Sequence, residues 1–217
     1  PGAVHVHQLP AALPVVQHCD APCGYCLIHP PAVDRCVAPL QYGEPVDRLI
    51  GGFKFHGRFA DGRSLALLLA RAVTRAYGPA TLPELLLPMP LHRDRWRQRG
   101  YNQALEVARV LSRGLGLPLR ADAITRKRAT AAQTSLQSVA ARRRNVTGAF
   151  SIAAAAHLQG ISHVAIVDDV VTTMATVNAL AVCLRRHGIA RVDAWCLARA
   201  NRRSGPLNPA LPGQPAE

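Results

Sequence analysis

The sequence predicts a doubly wound α/β fold with a mainly parallel sheet and a small N-terminal appendage that contains cysteine and histidine. Short apolar strand patterns alternate with longer helical patterns, which is typical of a parallel sheet covered by helices on both faces. The two loops richest in functional side chains each follow a buried strand, where open sheets bind ligands. At 217 residues, the chain is long enough for one such domain and a short extra segment.

The first half of this pattern contains two strands and two helices. Arg35–Tyr42 has the composition of a first strand, and Glu44–Phe55 has a helical pattern. Asp61 is a suitable N-cap for the apolar helix Gly62–Tyr77. The apolar run Glu84–Met89 then predicts a buried strand.

The second half continues the alternation. Ala104–Leu115 is an amphipathic helix that ends at glycine, and Gly148–Ile152 is a short strand. A buried strand is predicted at His163–Asp168. It is followed by a helix from Ala175 to about His187, and Val192–Leu197 is predicted as the last strand.

Composition indicates where the boundaries of the domain lie. Residues 1–35 are rich in proline, histidine and cysteine and form a separate N-terminal segment, so the main domain is expected at residues 36–200. Residues 201–217 are a proline-rich tail that we expect to be disordered, and Lys127–Asn145 is basic and weakly structured.

The amino-acid content is that of a folded protein. Hydrophobic residues make up 49% of the chain, and the mean hydropathy is +0.06. No apolar run approaches the ~20 residues that span a bilayer. The first residues have neither the basic nor the apolar region of a secretory signal, so we expect a cytoplasmic protein without a membrane span.

The chain is strongly basic, with 26 lysines and arginines against 13 acids and a net charge of +13. Such a charge favours anionic partners: phosphates, pyrophosphate or nucleic acid. An arginine-rich surface with no nucleic-acid role explains the same charge equally well. The charge alone therefore leaves both interpretations open.

The segment His163–Thr176 has the clearest functional pattern. The apolar strand leads into two adjacent carboxylates, Asp168 and Asp169, and then into a hydroxyl-rich loop that opens a helix. A helix start offers free backbone N–H groups and a positive dipole end to a phosphate. The carboxylates can accept bonds from sugar hydroxyls or hold a divalent cation. The predicted phosphate-binding residues are Val170, Val171, Thr172, Thr173, Met174, Ala175 and Thr176. The plainer alternative is a buried strand that ends in a polar turn.

A basic loop, PMPLHRDRWRQRGYNQA, follows the strand at Glu84–Met89. Its arginines are suited to neutralising a pyrophosphate or a DNA backbone, although a basic loop can also simply be solvated. The interleaved rings of Trp96 and Tyr101 suit stacking on bases, and equally suit packing onto the sheet. The candidate DNA-binding residues here are Arg95, Trp96, Arg97 and Tyr101.

Four of the six cysteines lie near the N-terminus, and two of these, Cys23 and Cys26, form a C-x-x-C pair. In a cytosolic protein such a cluster suggests a metal rather than disulfides. Zinc needs four nitrogen or sulfur ligands. The candidate zinc ligands are Cys23, Cys26, Cys19 and His7, with His5 and His18 as alternatives. Cys36 has the context of a strand residue, while Cys183 and Cys196 have buried contexts.

The segment His163–Thr176 resembles the phosphoribosyl-pyrophosphate (PRPP) signature of type I phosphoribosyltransferases. The resemblance implies that Asp168 and Asp169 are the catalytic acids that hold the ribose hydroxyls, directly or through Mg²⁺. It also implies that the loop from Val170 to Thr176 wraps the 5′-phosphate. Met174 stands where that family has glycine. A positive φ at methionine is strained by about 1–3 kcal/mol, so we expect weaker PRPP binding or a distorted loop.

Several motifs together resemble the ComF (competence protein F) family over roughly residues 20–200. They are the basic loop with its R-G-Y-N-Q-A ending, the segment Gly52–Arg58, and the segment Arg126–Phe150. The resemblance implies a phosphoribosyltransferase-type sheet and an N-terminal zinc knuckle, of which one C-x-x-C pair is present. Because the other pair is missing, a knuckle that has lost its zinc explains the sequence equally well. It implies a pyrophosphate loop formed by Pro90, Leu91, His92, Arg93 and Arg99. It also makes Arg142, Arg143 and Arg144 candidates for binding DNA or another anion.

ComF proteins are associated with natural transformation, in which they handle incoming single-stranded DNA. The resemblance therefore implies single-stranded DNA and proteins of the competence machinery as partners, beside a PRPP-type ligand. The alternative is an active phosphoribosyltransferase that transfers the phosphoribosyl group to a nucleobase or an amine. No base-binding element is recognisable in the sequence, which favours the first hypothesis.

Overall fold

The computed structural model describes residues 31–77, 82–126, 148–152 and 158–200. The proposed zinc ligands and the proline-rich tail lie outside these ranges, as do Arg142, Arg143 and Arg144. Within the described ranges, every helix is too short or too polar to cross a membrane.

Five parallel strands form the main sheet, and two further strands form an antiparallel ribbon. The strands are β1 (Arg35–Val37), β2 (Leu40–Gln41), β3 (Leu85–Pro88), β4 (Ile124–Arg126), β5 (Phe150–Ile152), β6 (His163–Val171) and β7 (Arg191–Arg199). The main sheet has the order β1-β7-β6-β3, with β2 also paired to β7, and β4 pairs with β5 in the ribbon. Strands that are distant in sequence are neighbours, as crossover connections require.

Helices cover both faces of the main sheet. They are α1 (Val46–His56), α2 (Phe59–Ala76), α3 (Arg93–Arg99), α4 (Gln103–Leu115) and α5 (Ala175–Arg186). Side chains of α1, α2 and α4 share a core cluster with Ala165 and Val167 of β6. Those of α5 and the ribbon share a second cluster with Val164 and Ile166. Successive side chains of β6 thus point to opposite faces of the sheet and pack into two separate cores. The predicted doubly wound α/β architecture is confirmed.

The structure corrects two predicted element boundaries. The strand predicted at Arg35–Tyr42 is two short strands, because Pro39 interrupts it and has no N–H to donate. The start predicted for the second helix is also wrong: α2 begins at Phe59, and Asp61 lies inside its first turn. There Asp61 forms an ion pair with Arg58, at 2.9 Å between Nε and Oδ2, instead of capping the helix.

The basic loop is partly helical, although its sequence pattern predicts no helix there. It contains α3, whose first turn is approached by the His92 side chain, with Nδ1 3.3 Å from the Asp94 amide nitrogen. Gly100 ends the helix with a φ of 78°, a left-handed conformation that glycine adopts without strain. Two of the predicted anion-binding arginines, Arg93 and Arg99, are therefore the first and last residues of a short helix.

A buried polar cluster lies at the end of the sheet where β6 and β7 begin. The Asp193 carboxylate is fully buried, and its Oδ2 accepts a hydrogen bond from the Tyr77 hydroxyl at 2.8 Å. His163 Nε2 lies 2.7 Å from the same oxygen, and an Arg191 nitrogen lies 3.4 Å from it. Burial is the main cause that raises the pKa of Tyr77. Burial of a carboxylate costs free energy unless the charge is paired. The hydrogen bonds to Asp193 therefore hold α2, β6 and β7 together.

Candidate functional site

The two loops singled out in the sequence meet at one edge of the sheet, as predicted. Strands β3 and β6 are parallel neighbours, and the Met89 amide donates to the Val167 carbonyl at 2.8 Å. The chain that follows Met89 therefore leaves the sheet beside Asp168. This edge is the carboxyl end of the strands, where parallel sheets bind their ligands.

The acid pair lies within β6 rather than after it, because pairing with β7 continues to Val171. The Asp169 amide donates to Asp168 Oδ1 at 2.8 Å, and the Val170 amide donates to Asp169 Oδ1 at 2.6 Å. Lys54 Nζ lies 2.8 Å from Asp169 Oδ2, and the two side chains are only 21% and 12% exposed. The second acid is thus held by a mostly buried lysine from the end of α1.

The first acid lies in a different electrostatic environment. Burial, followed by the negative charge of Asp169, raises the pKa of Asp168 to about 7. The charges of Lys54 and Arg126 lower the pKa in part. A carboxyl group that titrates near neutrality can bind a ligand either as hydrogen-bond donor or as charged acceptor.

The raised pKa of Asp168 predicts a pH-dependent stability. Between the unfolded value near 4 and the folded value near 7, the folded state holds the extra proton, so stability falls as pH rises through this window. Asp168→Asn has no such charge. We expect the variant to be more stable than the wild type by roughly 2 kcal/mol at pH 8 and to lose this advantage near pH 4. Urea unfolding at both pH values measures the difference, and an equal difference at both would contradict the assignment.

The hydroxyl loop joins β6 to the start of α5. Thr172 is exposed, and Thr173 Oγ1 is buried without a hydrogen-bond partner among the described residues. A buried hydroxyl without a partner is costly, and a phosphate oxygen would supply the missing bond. The first N–H groups of α5 point out of the same turn, so donors and a positive dipole end converge on one place.

Met174 takes the backbone conformation that glycine would take. Its φ is 60° and its ψ is 0°, and it is the only residue other than glycine with a positive φ in the described ranges. Its side chain packs against the core cluster shared by α5 and the ribbon. The loop therefore keeps the left-handed turn at a strain of about 1–3 kcal/mol.

Met174→Gly tests the consequence of this strain. Glycine adopts the left-handed turn freely, so more of the molecules hold the loop open for phosphate. We expect affinity for PRPP with Mg²⁺ to improve about 3- to 10-fold, since roughly 1 kcal/mol of strain is relieved. Met174→Ala is the matched control: it removes the long side chain but keeps the Cβ, and should bind no better than wild type. Calorimetry compares the three proteins. Equal affinity of wild type and Met174→Gly would show that Met174 does not harm the site.

The R-G-Y-N-Q-A segment joins the basic loop by hydrogen bonds to the end of β3 and to the end of α1. Asn102 Oδ1 accepts from the amides of Ala104 and Leu105 and so caps α4, while its Nδ2 donates to the Met89 carbonyl at 3.0 Å. Gln103 Nε2 donates to the Lys54 carbonyl at 3.4 Å. One tight segment thus positions both the loop after β3 and the lysine that pairs with Asp169.

Arg99 and Tyr101 lie between this segment and α1. The Arg99 guanidinium donates to Gln103 Oε1 at 3.1 Å and lies over the Phe55 ring, 5.1 Å from its centroid. Burial lowers the pKa of Arg99, and the charge of Asp169 opposes this effect. The Tyr101 hydroxyl donates to the Phe53 carbonyl. The charge of Asp169 thus acts on Arg99, which places this arginine on the side of the loop that faces the acid pair.

The other residues predicted for this loop have separate positions. Pro90 is buried and Leu91 is half-buried, whereas Arg93, Trp96 and Arg97 are exposed. Arg95 is half-buried, and its charge lowers the pKa of both Arg99 and Arg126. The structure thus brings the acid pair, the hydroxyl loop and Arg99 together, and leaves Arg93, Trp96 and Arg97 at the surface.

Lys54 is the site residue that sequence reasoning missed. It was part of the segment Gly52–Arg58, whose resemblance was noted without any role for the lysine. A lysine beside phenylalanines at the end of a helix gives no spacing signal toward an acid 115 positions later, so only the fold reveals the pair.

Three curated relatives match most of the chain. Competence protein F of Haemophilus influenzae is 40% identical over 180 residues, covering 82% of this chain and 78% of that protein. The DNA utilization protein YhgH of Escherichia coli O157:H7 is 41% identical over 184 residues, covering 84% and 79%. The protein of the same name from Salmonella typhimurium is 39% identical over 193 residues, covering 88% and 81%.

Solved structures are more distant. Two HPRT variants, in which an invariant aspartic acid is replaced by glutamic acid or asparagine, are 15% and 17% identical, with TM-scores of 0.37 and 0.38. Each covers 66% of this chain, with 78% and 76% of the HPRT chain matched. These scores are too low to carry an argument, and no family model matches the chain. The identities near 40% to the curated relatives are decisive: the chain belongs to the ComF (competence protein F) family.

Proposed function

We propose that this protein binds a phosphoribosyl ligand such as PRPP with Mg²⁺ at the acid pair, and that it handles single-stranded DNA in natural transformation. The observation that carries the first part is the convergence of Asp168, Asp169 and the hydroxyl loop at the start of α5. Carboxylates beside a phosphate cradle suit a sugar phosphate, because the acids accept from ribose hydroxyls while the loop donates to phosphate.

The donors at this edge fit a magnesium ion brought in with its ligand. Mg²⁺ binds through one or two carboxylates and completes its shell with water and substrate phosphates. Asp168 and Asp169 are the residues that would hold it. The ion would balance the charge of the pyrophosphate group. Asp169 meanwhile stays paired with Lys54, which fixes the position of the second carboxylate before the ligand arrives.

Two observations support the second part of the proposal. Relatives of about 40% identity are named for competence and for DNA utilization. The chain has a net charge of +13, and the described exposed arginines include Arg93 and Arg97 of α3. A basic surface binds the phosphate backbone of nucleic acid through release of counterions.

A second candidate function is phosphoribosyl transfer, which the electrostatic effect of Asp169 on the Arg99 guanidinium favours. The cation would face the departing pyrophosphate while the acid pair holds the ribose. In that reaction the bond from ribose C1 to pyrophosphate breaks, a nitrogen of a nucleobase or amine bonds to C1, and the acceptor loses a proton. It requires an acceptor pocket in addition to the PRPP site.

Calorimetry on the full chain separates these functions. We expect PRPP to bind in the presence of Mg²⁺, and a single-stranded oligonucleotide to bind with an affinity that falls as salt is raised. Absence of heat with PRPP would refute the phosphoribosyl site. Salt-insensitive or absent oligonucleotide binding would refute the role in DNA handling. Release of pyrophosphate on adding a nucleobase would identify the transferase instead.

A further inference from the structure

The turn between α1 and α2 presents two exposed aromatic rings. Phe55 is 66% exposed and Phe59 is 51% exposed, the two highest values among the large apolar side chains of the described residues. Gly57, with a φ of 63°, makes the turn that places them on either side of the helix junction. Exposed apolar side chains that lie together, unlike single ones, mark a candidate binding surface.

The two rings are held firmly from below. Phe59 contacts the Tyr101 ring at 4.7 Å and the buried Phe53 ring at 6.3 Å between centroids. The guanidinium of Arg99 lies over Phe55. Trp96 is 48% exposed and stands three residues before Arg99 on α3, hence on the same side of that helix. Rigid, supported rings bind flat partners at a low entropy cost.

The surroundings of these rings are positively charged. The segment Gly52–Phe59 contains Lys54, His56 and Arg58, of which Arg58 is paired with Asp61. Lys54 contacts Asp169, so the aromatic surface begins at the edge of the proposed phosphoribosyl site. The excess of positive charge comes from α3, in which four arginines accompany one aspartate. Rings interleaved with cations match a partner that has flat bases on an anionic backbone.

The geometry points to a base-stacking platform, formed by Phe55 and Phe59 with Arg99 and Trp96 beside them, that takes the bases of single-stranded DNA next to the acid pair. This inference rests on the proposed handling of DNA and gives it a location. Because stacking needs an exposed base face, the platform selects single strands over duplex. Tyr101, also predicted as a candidate for base contact, packs against Phe59.

Fluorescence anisotropy with a labelled oligothymidylate tests the platform. Phe55→Ala and Phe59→Leu are each expected to weaken binding about 5- to 150-fold, the usual range for one stacked base. Phe59→Leu keeps an apolar side chain over Tyr101, so the fold is preserved. Leu67→Ala is the matched control, because Leu67 is an exposed apolar residue of α2, 47% accessible, and should bind like wild type. A duplex of the same length should bind more weakly than the single strand.

Tryptophan fluorescence gives an independent readout. Phe55→Trp, made together with Trp96→Phe, places the one exposed indole of the described residues at position 55, since Trp195 is fully buried. Its fluorescence should be quenched when the oligonucleotide stacks on it. Affinities of both phenylalanine variants within twofold of wild type, or no quenching, would overturn the platform. PRPP binding measured on the same variants separates the two proposals. Loss of DNA binding with PRPP binding intact supports the platform. DNA binding through Phe55 in a protein that does not bind PRPP supports the platform and refutes the phosphoribosyl site.

Discussion

Replacing Asp168 and Asp169 together by asparagine is expected to weaken PRPP binding about 10²- to 10⁴-fold while the protein stays folded. Each carboxylate is assigned charge-assisted bonds to ribose hydroxyls or to Mg²⁺, worth about 1.5–3 kcal/mol each. Asparagine keeps the shape and some acceptor capacity but loses the charge. The loss should therefore appear in ligand affinity. In stability, removal of the buried charge at Asp168 favours the folded state, while loss of the ion pair between Lys54 and Asp169 opposes it.

The double variant needs a control of equal chemistry elsewhere. Asp122→Asn removes one negative charge from an exposed position outside the site. It should bind PRPP as the wild type does, which excludes a general effect of net charge. Calorimetry with PRPP and Mg²⁺ gives the affinities, and thermal unfolding checks the fold. Binding by the double variant within threefold of wild type would mean that the acid pair does not hold the ligand.

The second large effect is expected at the opposite end of β6 and β7. Asp193→Ala should destabilise the protein by about 3–5 kcal/mol, because it leaves His163, Tyr77 and Arg191 facing a buried site without their acceptor. Tyr77→Phe removes only one of these hydrogen bonds and should cost about 1–2 kcal/mol. Urea unfolding at constant pH measures both variants.

The Asp193 cluster should affect the stability of the fold and not the affinity for PRPP. His163 begins β6, five residues before the acid pair, which corresponds to about 17 Å along an extended strand. Asp193→Ala should therefore keep the PRPP affinity of the wild type at temperatures where it is folded. A loss of stability below 1 kcal/mol would show that the cluster is not a stabilising one, and a loss of PRPP affinity would connect the two ends of the sheet.

The sheet and the phosphate-type loop could be predicted because each has a local pattern. The apolar run before Asp168 and the hydroxyls after it lie within 14 consecutive residues, so neither depends on distant contacts. The left-handed turn at Met174 was also predictable, since the pattern placed glycine there. Boundaries were less certain: Pro39 divided one strand, and Arg58 rather than Asp61 preceded α2.

The parts that escaped prediction depend on contacts between distant segments. Lys54 and Asp169 meet only because α1 packs near the carboxyl end of β6. The R-G-Y-N-Q-A motif ends a basic loop that the sequence suggests for anion binding. In the structure, the side chains of Asn102 and Gln103 form hydrogen bonds to Met89, to Lys54 and to the first turn of α4. Sequence order shows that such residues belong together, and only the fold shows what they hold.

The central claim is that a sugar phosphate binds at the hydroxyl loop beside the acid pair. Titration of isotope-labelled protein with ribose 5-phosphate, followed through backbone amide resonances, tests it directly, because the loop amides are the proposed donors. We predict that the largest saturable shifts fall on residues 168–176 and on Lys54. Shifts that are absent from these residues, or confined to the exposed arginines of α3, would contradict the claim.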